Sequence, residues 1–198
     1  MAWFPKWARW YLGRKEFKGH ARDRDLRPPA PRKIPLAAWA RLHKLIAPVS
    51  ADARMRAAIV SYLLWGIANE PQIHYARQRP MEDVRAPLRL KTLPRTADCS
   101  EFVTDAYAWA GAPDPNGLGY SGAGYTGTLL DHGKKIPMSQ TLPGDLVDFG
   151  NEHVCAVLEA GRDPLLASHG QERGPIAIRL SVEKGYHKGQ AVTFLRSL

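Results

Sequence analysis

PGDLVDFGNEHVCAVLEAGRDPLLASHG, residues 143–170, is the stretch that decides the fold. Pro143-Gly144 makes a turn, and 145–149 is short, apolar and β-branched enough to read as a strand. Gly150-Asn151-Glu152 turns the chain into a second strand over 153–158. Gly161-Arg162-Asp163-Pro164 turns it again into a third over 165–169, closed by Gly170. Links this short join antiparallel neighbours. The start of one strand then faces the end of the next, so the spacing predicts that His153 and His169 share a neighbourhood. Further on, Ile176, Ile178, Leu180 and Val182 alternate as one face of a strand. A turn over 185–189 leads to a last strand at 191–195.

Helices come before the strands. Ala51–Ala68, with Ala58, Ile59, Tyr62, Leu63, Trp65 and Ile67, reads as a largely buried helix. Asp98 is a good N-cap and Glu101, three residues on, fits a capping box. Phe102, Val103, Ala106 and Ala110 follow at helical spacing, and Gly111 with Pro113 supplies the stop. Helices first and an antiparallel sheet after make the expected class α+β.

Cys99 falls at the first position of that second helix, where unpaired N–H groups and the helix dipole favour a thiolate. Alone, it reads as readily as a small buried hydrophobe. With two histidines on neighbouring strands it becomes a candidate nucleophile, since one imidazole can take the thiol proton while a second group holds that ring.

Asp98-Cys99-Ser100 with its apolar helix, Pro143-Gly144-Asp145-Leu146-Val147, His153-Val154 and Ser168-His169, in that order, resemble the NlpC/P60 cysteine peptidases, papain-like enzymes that cut peptidoglycan stem peptides. The resemblance runs from about residue 50 onward. It implies Cys99 as nucleophile, His153 as general base and His169 as orienting residue. It also implies that Asp98 and Ser100 help hold substrate and that Tyr75 stands near the oxyanion site. The family usually has Gly after the Cys-Ser pair, where this chain has Glu101. Its Gly-Gly run before the Cys is replaced by a basic stretch over 77–95. A Gly-rich insertion over 111–133, with Tyr120 and Tyr125, resembles actinobacterial-phage lysins carrying this domain.

The function implied is a peptidoglycan endopeptidase acting as a phage endolysin or a virion-carried wall hydrolase, with no cofactor. Two alternatives stand beside it. One is an N-acetylmuramoyl-L-alanine amidase of CHAP-like specificity; the histidine third member leans away from CHAP enzymes, where Glu or Asn is usual. The other is a catalytically degenerate virion or wall-docking protein, which Glu101 keeps open.

Cys155 falls on the same strand face as His153 and reads as a small core residue beneath it. A Cys99–Cys155 disulfide would abolish the nucleophile, but two cysteines without a secretion signal read as reduced thiols. Cys99, Cys155, His153 and His169 also form a rival zinc set, disfavoured because no C-x₂₋₄-C or H-x₃₋₅-H pair occurs. His20, His43, His74, His132 and His187 read as surface or satisfied residues. Asp145 and Asp148 read as strand-flanking carboxylates with no required catalytic part.

Charge divides the 198-residue chain. Its net +9 lies wholly in residues 1–50, with twelve Lys/Arg against three Asp/Glu, while the remainder carries sixteen of each sign. The expected domains are therefore a basic arm over 1–49 and a catalytic domain over 50–198. Trp3, Trp7 and Trp10 share one face of a short amphipathic segment in the arm. A Pro-rich linker over 27–32 and a second amphipathic piece over 36–46, with Trp39, follow. Such a surface suits an anionic wall polymer or membrane surface, unless the tryptophans pack on the domain. No nucleic-acid motif appears. No secretory signal or 18-residue apolar span is visible, which fits host cytoplasm until lysis, or a virion.

Overall fold

A computed structural model describes residues 50–82, 84–170 and 173–198. The arm assigned to 1–49, with its tryptophans and linker, lies outside the described residues.

Ser50 caps α1, Ala51–Ala68, by accepting a hydrogen bond from the Ala53 N–H at 3.1 Å. Ile59, Leu63 and Ile67 are fully or almost fully buried along it. The Phe102 ring lies so close over Gly66 that a Cβ there would stand 2.6 Å from Cε2. Only glycine lets the two helices meet in this way. β1, His74–Tyr75, pairs in parallel with β2, Thr96–Ala97. The chain between them carries the short α2, Ala86–Leu90, because parallel strands need a crossover rather than a turn. This pair was not foreseen.

α3, Cys99–Trp109, runs as expected, with the Asp98 side chain accepting from the Glu101 N–H at 2.8 Å. The capping box is only half made. The Glu101 carboxylate does not reach back to Asp98 but accepts from the Glu82 N–H at 3.0 Å. The Gly-rich insertion folds around Asp114, whose carboxylate accepts from the N–H groups of Asn116, Leu118 and Tyr120. It continues into α4, Thr126–His132, and β3, Lys134–Ile136.

β4, Leu146–Phe149, β5, His153–Glu159, β6, Leu165–Gly170, β7, Arg173–Arg179, and β8, Val192–Arg196, join β3 in one sheet. Its order is β3-β8-β4-β5-β6-β7, with every pair antiparallel. The mixed helix-and-antiparallel-sheet class is thus the α+β architecture expected. One element differs. The alternation expected over Ile176–Val182 ends at Arg179, and Leu180–Tyr186 is a helix, α5. Two matches in period two cannot separate a strand's end from a helix's start.

One sheet face carries Val147, Phe149, Cys155, Val157, Leu166, Ile178 and Phe194, closed by Leu180 of α5. Each such burial contributes on the order of 1.5–3 kcal/mol. On the opposite face α3 packs, with Phe102 against the His169 ring.

The Pro143-Gly144-Asp145 turn is locked from two sides. Asp145 is fully buried and pairs with Arg56 at 2.8 Å and with Arg196 at 2.7 Å. Gly144 takes φ +88°, and its carbonyl accepts from the Tyr107 hydroxyl at 2.7 Å. The motif's acid is a structural clamp. Asp148, also buried, accepts from the Asn151 N–H at 3.0 Å and holds the next turn.

Candidate active site

Register decides which side chains meet. β5 and β6 pair Ala156 with Ala167 and Val157 with Leu166. Continued, this sets Cys155 opposite Ser168 and Val154 opposite His169. In a strand one residue's shift exchanges faces. His153, Cys155 and Ser168 therefore share a face, and His169 points to the other.

The contacts follow that parity. His153 Nε2 lies 3.0 Å from Ser168 Oγ, 3.3 Å from Cys155 Sγ and 3.1 Å from Glu183 Oε1. Ser168 Oγ donates to the same Glu183 oxygen at 2.9 Å. The His187 ring stacks on His153 at 4.8 Å and 11°, with its Nε2 3.5 Å from Glu183 Oε1. The Cys99 thiol is a further neighbour of the ring, near enough to favour its charged form. Cys99 thus lies in the surroundings of His153, and the residue that holds the imidazole is Glu183 of α5.

This corrects the part expected of His169. Its ring is buried between Tyr75 and Phe102, at centroid distances of 5.4 and 5.6 Å. Neither ring nitrogen has a well-aligned hydrogen-bond partner. Burial pulls its pKa down to about 4, so the ring is a neutral core residue at neutral pH.

Electrostatics bind the cluster. Burial raises the Glu183 pKa, but hydrogen bonds from His153 and Ser168 outweigh it and hold the carboxyl below its ordinary value. Burial likewise opposes charge on His153, yet Cys155, Cys99 and Glu183 around the ring together raise its pKa above that of an ordinary histidine. His187 is lowered by burial and by repulsion from His153. Burial pushes the Cys155 thiol up. The arrangement favours an imidazolium between a carboxylate and a thiol, the state that a proton-accepting histidine must reach.

A cleft of about 430 Å³ opens onto the cluster, lined among others by Tyr75, Arg77, His153, Ser168, Glu183 and His187. Cys99 is only 4% exposed and is not on its wall. Tyr75 is, with its hydroxyl 3.5 Å from Arg77 Nε. Asp98 and Ser100 are buried and engaged elsewhere. Arg79 pairs with Asp98 at 2.8 Å and donates to Ser100 Oγ at 2.7 Å, while Ser100 donates to Asp98 at 2.8 Å. They brace the helix start, and the structure gives them no place on the cleft wall.

Both cysteines are free, with Cys155 fully buried under the histidine. The rival zinc set is not assembled as expected; the donors that converge among the described residues are His153, Cys155 and Glu183. Sequence reasoning missed Glu183, Ser168 and His187. Glu183 and His187 stand at i and i+4, a helical signal hidden once 176–182 is read as strand. Among the described residues no helix is long and apolar enough to cross a membrane. The chain matches no family model and no curated protein.

Proposed function

We propose that this domain is a thiol hydrolase that cleaves stem-peptide amide bonds of peptidoglycan, with a papain-like NlpC/P60 site. The observation that carries the chemistry is His153 on the wall of a cleft, held at 3.1 Å by Glu183 and with the Cys99 thiol among the groups that raise its pKa. The motif order of the NlpC/P60 peptidases supports the substrate.

In this reading the Cys99 proton rests on His153, and the Cys99 thiolate attacks the amide carbonyl carbon. The Cys99 backbone N–H, helped by the Tyr75 hydroxyl, steadies the oxyanion. His153 returns the proton to the leaving amine as the C–N bond breaks, and water then hydrolyses the thioester. Glu183 keeps the ring oriented and stabilises its charge. A phage endolysin or virion-carried hydrolase is the setting proposed, with the basic residues 1–49 engaging an anionic wall polymer or membrane surface.

One observation favours a second reading, a CHAP-like amidase freeing the stem from the glycan. The third member is a carboxylate, Glu183, where the histidine had leaned the assignment away from those enzymes. Mass spectrometry of digested walls decides. Peptides cut within the stem support the endopeptidase, intact stems freed from glycan support the amidase, and no product from an intact fold ends both.

A further inference from the structure

Three donor atoms of different chemistry converge on one point beneath the cleft. His153 Nε2 and Cys155 Sγ are 3.3 Å apart, His153 Nε2 and Glu183 Oε1 3.1 Å, and Cys155 Sγ and Glu183 Oε1 3.7 Å. Zinc bonds of about 2.0–2.3 Å in tetrahedral geometry set ligand atoms roughly 3.3–3.6 Å from one another. The triangle therefore already has nearly the dimensions of one face of a zinc coordination sphere. Two further polar atoms border it: Ser168 Oγ at 2.9 Å and His187 Nε2 at 3.5 Å from Glu183 Oε1. The cleft lined by His153, Ser168, Glu183 and His187 gives an ion its way in and a water or His187 the fourth position.

We infer that His153, Cys155 and Glu183 form a site for a borderline-soft divalent ion such as Zn²⁺, and that the ion switches the Cys99–His153 pair off. One thiolate, one imidazole and one carboxylate select zinc-like ions over calcium or magnesium, which take oxygen ligands. Binding is redox-neutral. The Cys155 thiol releases its proton to solvent as the S–metal bond forms. An imidazolium at His153 releases one more, leaving a neutral ring whose remaining proton sits on Nδ1. With its Nε2 lone pair in the metal bond, the ring has none left to take the Cys99 proton, and Glu183 is diverted from it. The inhibitory half rests on the proposed thiol-hydrolase reading; the binding half does not.

Co²⁺ alone, added to the full chain under reducing conditions, is the probe. The expected result is a thiolate-to-cobalt charge-transfer band that zinc displaces. It should persist in Cys99→Ser, vanish in Cys155→Ala, and need at least about tenfold more metal in Glu183→Gln, whose fold circular dichroism checks. No band in the native chain, a band that survives loss of Cys155, or one that needs Cys99 overturns the site. Zinc should suppress wall lysis by at least about tenfold and EDTA restore it; lysis indifferent to saturating zinc overturns the switch. A chain inert in chelator yet showing the Cys155-dependent band sinks the hydrolase reading and leaves the metal site standing.

Discussion

Glu183 does for His153 what the sequence assigned to His169, and the two residues make opposite predictions. Glu183→Gln keeps the shape but removes the charge that favours the imidazolium. Loss of a triad carboxylate elsewhere costs up to about 10⁴ in kcat. Steady-state kinetics on a soluble stem peptide should show kcat falling by about 10²-fold or more with KM little changed. His169→Phe, which preserves a buried ring beside Phe102 and Tyr75, should leave kcat within a few-fold of native. The reverse pattern would return the orienting part to His169. Cys99→Ala and His153→Ala should each abolish lysis of purified walls with unchanged circular dichroism. Lysis at the normal rate by Cys99→Ala would end the mechanism.

At the scale of elements, α3 carries a buried carboxyl and packs against a buried imidazole, with opposed effects on stability. Burial raises the Glu101 pKa to about 7, so folding favours its protonated form, and that contribution is lost as pH rises from the unfolded value toward 7. His169, lowered to about 4, favours its neutral form, and that contribution is lost as pH falls from about 6.5 toward 4. Each shift corresponds to roughly 3 kcal/mol by linkage. Between about pH 4.5 and 6.5 the two slopes oppose, so the native chain should change little in urea stability. Glu101→Gln should leave the His169 slope exposed, with stability falling steadily over that window as acid is added. His169→Phe should show the opposite slope. Parallel curves for all three proteins would refute the account. The Asp145 clamp belongs to the same scale, since it ties α1 to β8. Asp145→Ala takes the shared carboxylate from Arg56, which keeps Asp52 at 3.0 Å, and from Arg196, which keeps the Gln140 carbonyl, and should cost about 1.5–3 kcal/mol in urea unfolding.

For the whole molecule, charge separates the chain where hydropathy does not. Residues 51–198 carry equal numbers of each sign, so removing the first 49 removes essentially all of the net +9. A chain beginning at Ser50 should keep the native melting temperature within a few degrees. Its retention on an anionic wall polymer should be much weaker at low salt, and the two proteins should converge at high salt as screening sets in. Equal retention at low salt would remove the arm from wall binding.

Local chemistry made much of this protein legible before folding. The apolar run of α1, the Asp98 cap, the glycine stop after α3 and the turn residues between β4, β5 and β6 act within a few residues, so the sequence alone determined α1, α3, three strands and their antiparallel order. It also determined that Cys99 begins a helix. What only the tertiary structure decided was parity and reach. Whether His169 or Ser168 faces His153 depends on a one-residue register between strands, and Glu183 arrives from a helix fifteen residues beyond Ser168. Alternation in Ile176 and Ile178 carries no mark of where that helix starts. Pairing across a sheet and packing of a late helix are non-local, and so the partner of the His153 imidazole became visible only once the chain had closed on itself.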